Sequence, residues 1–138
     1  MNQNPDIFHH RCTSVVHDGK DVSVCFPEIS APYEGQPYVV DEYGGTFWTR
    51  EHATKEPAAD SISRWGYGKG AEQVEELIGR LTLILTNHPE IAGYCYTQLT
   101  DVEREANRIY TYDRQLKFDT ARLKKYFGAP AAIEERND

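Results

Sequence analysis

The sequence has no long apolar run. No hydrophobic stretch approaches the roughly 20 residues a helix needs to cross a bilayer, so no membrane partner is expected. It also has no cluster of Lys and Arg. Its 15 basic and 22 acidic residues give a formal net charge of −7. A net acidic chain without a basic patch is a poor partner for nucleic acid or an anionic surface. Cysteine is scarce. Cys12, Cys25 and Cys95 make an odd count, and no pair has the close spacing of a zinc site. Three reduced, mostly buried thiols are expected, which favours a reducing, cytoplasmic compartment. The five histidines, His9, His10, His17, His52 and His88, are scattered, and neither a metal nor a cofactor is expected. Residues 1–11 are polar and read as lacking a signal-peptide core. There is no internal repeat and no low-complexity tract.

What is present suits one ordinary domain. The chain has 138 residues, 39% of them hydrophobic, which is enough to bury a core but short for two domains of usual size. Its nine Tyr outnumber five Phe and two Trp, so many rings carry a polar handle. Such rings pack cores, and they also suit walls that touch apolar and hydroxylated surface together, as sugars present.

Asn4-Pro5-Asp6 reads as a helix start, with a helix to about Cys12. His17-Asp18-Gly19-Lys20 signals a turn, 22–26 fits a short strand, and 27–37 is a loop. Tyr38-Val39-Val40-Asp41-Glu42-Tyr43 reads as a strand buried on both faces, ended by Gly44-Gly45. Residues 46–70 form a long loop holding Trp48 and Trp65. Over 71–87, Val74, Leu77, Ile78, Leu81 and Ile84/Leu85 recur at helical spacing. Glu72, Glu75 and Glu76 stand near the positive end of that helix, and His88-Pro89 stops it. Residues 91–98 read as a second buried strand, 100–108 as a polar loop and 109–112 as extended chain. Asp119 or Thr120 caps a last helix over 121–127, closed by Gly128 and Pro130. Residues 131–138 form a charged, frayed tail, leaving 1–130 as the domain. Strand–helix–strand–helix from 38 to 127 is the repeating unit of an α/β sheet or barrel.

In parallel α/β folds, functional side chains gather at the C-terminal ends of strands. The two such ends here are Asp41-Glu42-Tyr43-Gly44-Gly45 and Tyr96-Thr97-Gln98-Leu99-Thr100-Asp101. Strand alternation places Tyr38, Val40 and Glu42 on one face and Val39 and Asp41 on the other, so the adjacent acids are not a catalytic pair.

The block from Tyr38 to Gly45 resembles the nucleophile strand of glycoside hydrolase family 2, the family of β-galactosidases, β-glucuronidases and β-mannosidases. Gly93-Tyr94-Cys95-Tyr96-Thr97-Gln98-Leu99-Thr100-Asp101-Val102, then Thr111-Tyr112-Asp113-Arg114 and Lys117-Phe118-Asp119, resemble the last strand and final helix entry of a bacterial branch. Trp65-Gly66-Tyr67-Gly68 also fits that branch. The resemblance runs in order over nearly the whole chain. It implies the C-terminal portion of a (β/α)8 TIM barrel, its last two strands with their helices, incomplete as a barrel alone. It further implies a retaining β-glycosidase in which Glu42 attacks the anomeric carbon and a second carboxyl serves as acid and base. Tyr96 and Gln98, which share a face, would supply donors to Glu42. Trp48 or Trp65 would form a sugar-facing wall, and Asp101 and Asn107 would bind hydroxyls.

The chain departs from the family in one respect. The family's acid/base Glu follows an Asn at an earlier strand end, and no Asn-Glu dipeptide occurs here. Glu103 and Glu105 are the nearest substitutes. A complete barrel takes about 250 residues. The expectation is therefore a piece of a glycosidase, inactive without the missing N-terminal part. Its partners would be a carbohydrate and that part of the barrel, or a second copy. The alternative is a non-catalytic module that binds sugar or self-associates.

Overall fold

The structure, a computed structural model of the chain, describes residues 4–7, 36–49, 70–103 and 105–135. Its elements are strand β1 (Tyr38–Tyr43), helix α1 (Ala71–Thr86), strand β2 (Ile91–Tyr96), helix α2 (Thr120–Phe127) and a 3-10 turn (Ala132–Glu135). β1 and β2 pair in parallel as a two-stranded sheet. Parallel neighbours need a long crossover, and α1 lies within it. The fold is therefore mixed α/β. The 17–20 turn, the strand at 22–26, the stretch 66–68, Trp65, Cys12, Cys25, His9, His10, His17 and His52 lie outside the described residues. Of the first expected helix, residues 5–7 are helical, and Asn4 Oδ1 accepts the Asp6 N–H at 2.9 Å.

Helix α1 is the wall shared by two apolar clusters. Its C-terminal half sets Leu81 and Leu85 against Val40, Tyr43 and Ile91 of the sheet. Its N-terminal half sets Val74 and Ile78 against Trp48, Ile109, Phe118 and Leu123. Each buried aliphatic side chain contributes roughly 1.5–3 kcal/mol, so the 3.6-residue period alone makes α1 the organising element. Two polar residues join the buried stripe. The Thr82 hydroxyl donates to Ile78 O at 2.8 Å and pairs with the Tyr43 hydroxyl, also at 2.8 Å. Glu75, read from sequence only as an acid favoured by the helix dipole, is 4% exposed. It accepts the Asp119 N–H at 2.8 Å and Arg122 Nη1 at 3.0 Å, fastening α2 to α1.

Asp119 caps α2, its carboxylate accepting Ala121 N–H at 2.8 Å and Arg122 N–H at 3.4 Å. Asp119→Ala is expected to cost about 1 kcal/mol, read as a lower urea midpoint at unchanged m-value. After Pro130 the chain closes the turn at Ala132–Glu135, with Glu134 N–H donating to Ala131 O at 2.9 Å. A local bond of this kind satisfies the backbone without tertiary packing.

The strands are not buried on both faces. Val40 and Tyr43 lie against α1, whereas Val39 on the opposite face is 55% exposed. On β2, Ala92 and Cys95 are exposed as well. No described element covers that second face. β2 ends at Tyr96, two residues before the expected end, although Thr97 N–H still donates to Tyr43 O at 2.9 Å.

Candidate active site at the strand ends

The pairing register fixes where Glu42 stands. Val40 pairs with Tyr94 and Tyr43 with Tyr96, so Asp41 and Glu42 together face the single residue Cys95. Two residues against one is a β-bulge, a device that re-aims side chains beside functional sites. The expected alternation is broken here. Val40 and Tyr43 both face α1, and both acids are exposed. The cause is the Tyr43 ring. It is fully buried, hydrogen-bonded to Thr82, and met edge-on by Tyr94 at 5.3 Å and Tyr96 at 5.4 Å. Seating that ring outweighs strict alternation. Glu42 has no hydrogen bond or ion pair with any described residue, so its carboxylate is unspent.

Past the bulge, Gly44 at φ +86° and Gly45 at φ +81° turn the chain. Consecutive left-handed residues are readily supplied only by glycine. A Cβ on Gly44 would also penetrate the Tyr96 ring. Tyr96 therefore lies across the turn, with Phe127 edge-on at 5.5 Å and the Gly45 N–H donating to its hydroxyl. The residue is partly exposed, but its hydroxyl end is deep, and burial pushes that phenol well above its usual range. Burial does the same to Tyr43.

The loop after β2 folds back over the turn. Tyr110 bridges Thr100 and Leu116, and Trp48 N–H donates to Ala106 O at 2.8 Å. Lys117 Nζ reaches both Asp101 oxygens at 3.0 Å. Arg108 is paired with Glu105. Burial pulls the Lys117 ammonium below its ordinary 10.5, against the opposing pull of Asp101.

These shifts set a pH dependence. An unfolded tyrosine ionises near pH 10, while Tyr43 and Tyr96 stay protonated in the fold. Above that pH the unfolded chain binds fewer protons, so stability falls as pH rises, by up to about 1.4 kcal/mol per unit for each phenol. Lys117 acts in the opposite sense just below 10.5, with one group against three, since burial raises the Tyr94 phenol as well. Urea midpoints taken from about pH 10.5 to 11.5 are expected to fall, and Tyr43→Phe is expected to flatten the slope.

The structure leaves some of the expected site residues exposed and buries others. Glu42 and Gln98 are exposed at the strand ends. Tyr96 is on the helix-covered side of the sheet, packed against the cluster of Leu81 and Leu85. Trp48 is 6% exposed and packs its ring on Phe118 at 5.4 Å, so it is a core residue and not an open sugar wall. Asp101 is buried and gives both oxygens to Lys117. Asn107 is buried against Gly45. Glu103 is exposed, and Glu105 is spent on Arg108. Sequence reasoning missed Lys117 and Tyr43. The apolar residues flanking Tyr43 hinted at burial, but nothing local marked Lys117 as the partner of an acid 16 residues away.

Among the described residues, no group of three or more His, Cys, Asp or Glu is placed to hold a metal ion, and no helix is long and apolar enough to cross a membrane. In class, the described region is a parallel strand–helix–strand unit with an acidic strand end. The chain matches no protein-family model and no curated protein.

Proposed function

We propose that this chain is the C-terminal part of a retaining β-glycosidase barrel, with Glu42 as nucleophile. The observation that carries the reading is the unspent Glu42 carboxylate, turned outward by a bulge at the C-terminal end of a parallel strand. Active sites of α/β barrels are assembled at those ends. A nucleophile must be accessible, and an exposed carboxylate that no described cation pairs meets that need. The likeness of both strand-end blocks to glycoside hydrolase family 2 supports the same assignment. In the reaction, Glu42 bonds to the anomeric carbon as the aglycone oxygen leaves with a proton from the acid/base carboxyl. Water, deprotonated by that second carboxylate, then releases the sugar with its configuration retained. On this reading the second carboxyl belongs to the earlier barrel strands, as the resemblance implies.

The test is reconstitution. The chain is mixed with a polypeptide encoded upstream in the same frame and assayed on aryl β-glycosides. Hydrolysis in the mixture, absent from either part alone, is the expected result. Sugar binding without turnover, unchanged by Glu42→Gln, would instead favour a non-catalytic module. The exposed Val39 face of the sheet favours self-association under that second reading, because bare parallel sheet faces are normally covered.

A further inference from the structure

Each strand presents three side chains to α1. On β1 they are Tyr38, Val40 and Tyr43, and on β2 Ile91, Tyr94 and Tyr96. The last step on β1 spans three residues, and Asp41 and Glu42 are exposed within it. Without the extra residue, Glu42 would pair with Tyr96 and share the face of Val40, its carboxylate set against Leu81 and Leu85. Tyr43 would fall on the face of Val39, which no described element covers. A buried carboxylate without a partner is costly, and an exposed ring forfeits its burial. The two side chains therefore favour the bulge together. The bulge still loosens the ladder, because it leaves one residue unpaired.

The Tyr43 hydroxyl ties the bulge down. Thr82 has one hydroxyl hydrogen, and it goes to Ile78 O at 2.8 Å. The 2.8 Å bond between the Tyr43 and Thr82 hydroxyls is then donated by Tyr43. A one-way chain thus runs from Tyr43 through Thr82 to the backbone of α1. Both residues are fully buried, so water does not compete for these bonds. At the other end of the same residue, Tyr43 O accepts the Thr97 N–H at 2.9 Å and joins the two strand ends. Apolar contact alone would let the ring slide along α1, whereas the hydroxyl fixes its depth and direction. Locked rotamers and supporting hydrogen bonds are what hold a functional side chain in place.

We propose that Tyr43 and Thr82 are positioning residues, whose hydroxyl chain to α1 locks the β1 bulge and so holds the Glu42 carboxylate on the open face of the sheet. That Glu42 acts there as a nucleophile rests on the glycosidase reading. The lock does not.

Two measurements test the lock and its use in the reaction separately. Tyr43→Phe and Thr82→Val each remove one hydroxyl and keep the side chain's shape, whereas Thr82→Ser keeps the hydroxyl. In the full chain, the Glu42 carboxyl carbon resonance and amide hydrogen exchange are compared with wild type. Tyr43→Phe and Thr82→Val are expected to shift that resonance and to lower protection of the Thr97 amide about tenfold more than that of Leu81 and Leu85. Thr82→Ser is expected to leave both unchanged. An unmoved Glu42 resonance, uniform loss of protection, or a Thr82→Ser variant as disturbed as Thr82→Val would overturn the lock. Should Thr82→Val fail to fold, Tyr43→Phe, which keeps the ring, decides alone. In the reconstituted enzyme, Tyr43→Phe and Thr82→Val are expected to lower kcat on an aryl β-glycoside about tenfold with KM within about threefold, and Thr82→Ser to recover it. An unchanged kcat would remove both residues from the reaction. If wild type hydrolyses nothing after reconstitution, the glycosidase reading falls, and the resonance and exchange data still decide the lock.

Discussion

Glu42→Gln is expected to lower kcat of the reconstituted barrel on an aryl β-glycoside by on the order of 10⁴-fold, with KM little changed. The amide keeps the shape of the carboxylate and loses its charge. It can neither attack the anomeric carbon nor stabilise the developing oxocarbenium ion. Glu42 has no hydrogen bond or ion pair with a described residue, so its loss should leave the urea midpoint unmoved. Glu42→Ala tests the role more sharply. With azide added, the small anion takes the vacated position and attacks the anomeric carbon directly. The aryloxide leaves, and the product is a glycosyl azide of inverted configuration, where the wild type gives retention. A Glu42→Gln variant that still turns over at the wild-type rate would remove Glu42 from the mechanism.

Gly44→Ala is expected to destabilise the chain by about 2–5 kcal/mol, through two independent penalties. At φ +86° an alanine is strained wherever it has room. Here it has none, because its methyl group would occupy the Tyr96 ring. The two parts can be separated. In a Tyr96→Ala background the steric penalty disappears and the backbone strain remains, so the second substitution should cost only about 1–2 kcal/mol. Equal costs in both backgrounds would mean that Tyr96 does not lie on the turn. The same variant connects stability to the site. The turn begins two residues beyond Glu42, and the Asn107 carboxamide rests on its other glycine.

Much of the framework was legible residue by residue. The spacing of Val74, Ile78, Leu81 and Leu85 reads as one helical face, and α1 buries all four. Asp119 reads as a cap and is one. His88-Pro89 reads as a stop, and α1 ends at Thr86. These signals are local, since each depends on a few consecutive residues and the backbone they favour. The site was less legible. Strict alternation placed Glu42 with Val40, Asp101 and Trp48 read as ligand-binding, and Lys117 carried no signal. What stayed hidden were contacts between residues distant in sequence, such as Tyr43 with Thr82 or Asp101 with Lys117.

The sequence by itself thus determined the parallel strand–helix–strand order, the helix limits, and the presence of an acid at a strand end. Period, capping and breaking residues act through short-range sterics and burial of one face. Only the tertiary structure decided which way that acid faces and which polar residues remain free to act. The Tyr43 ring gains more from burial against α1 than the strand loses by bulging, so both acids turn outward. Lys117 claims Asp101, because a buried ammonium must be satisfied by whatever acceptors the fold brings to it.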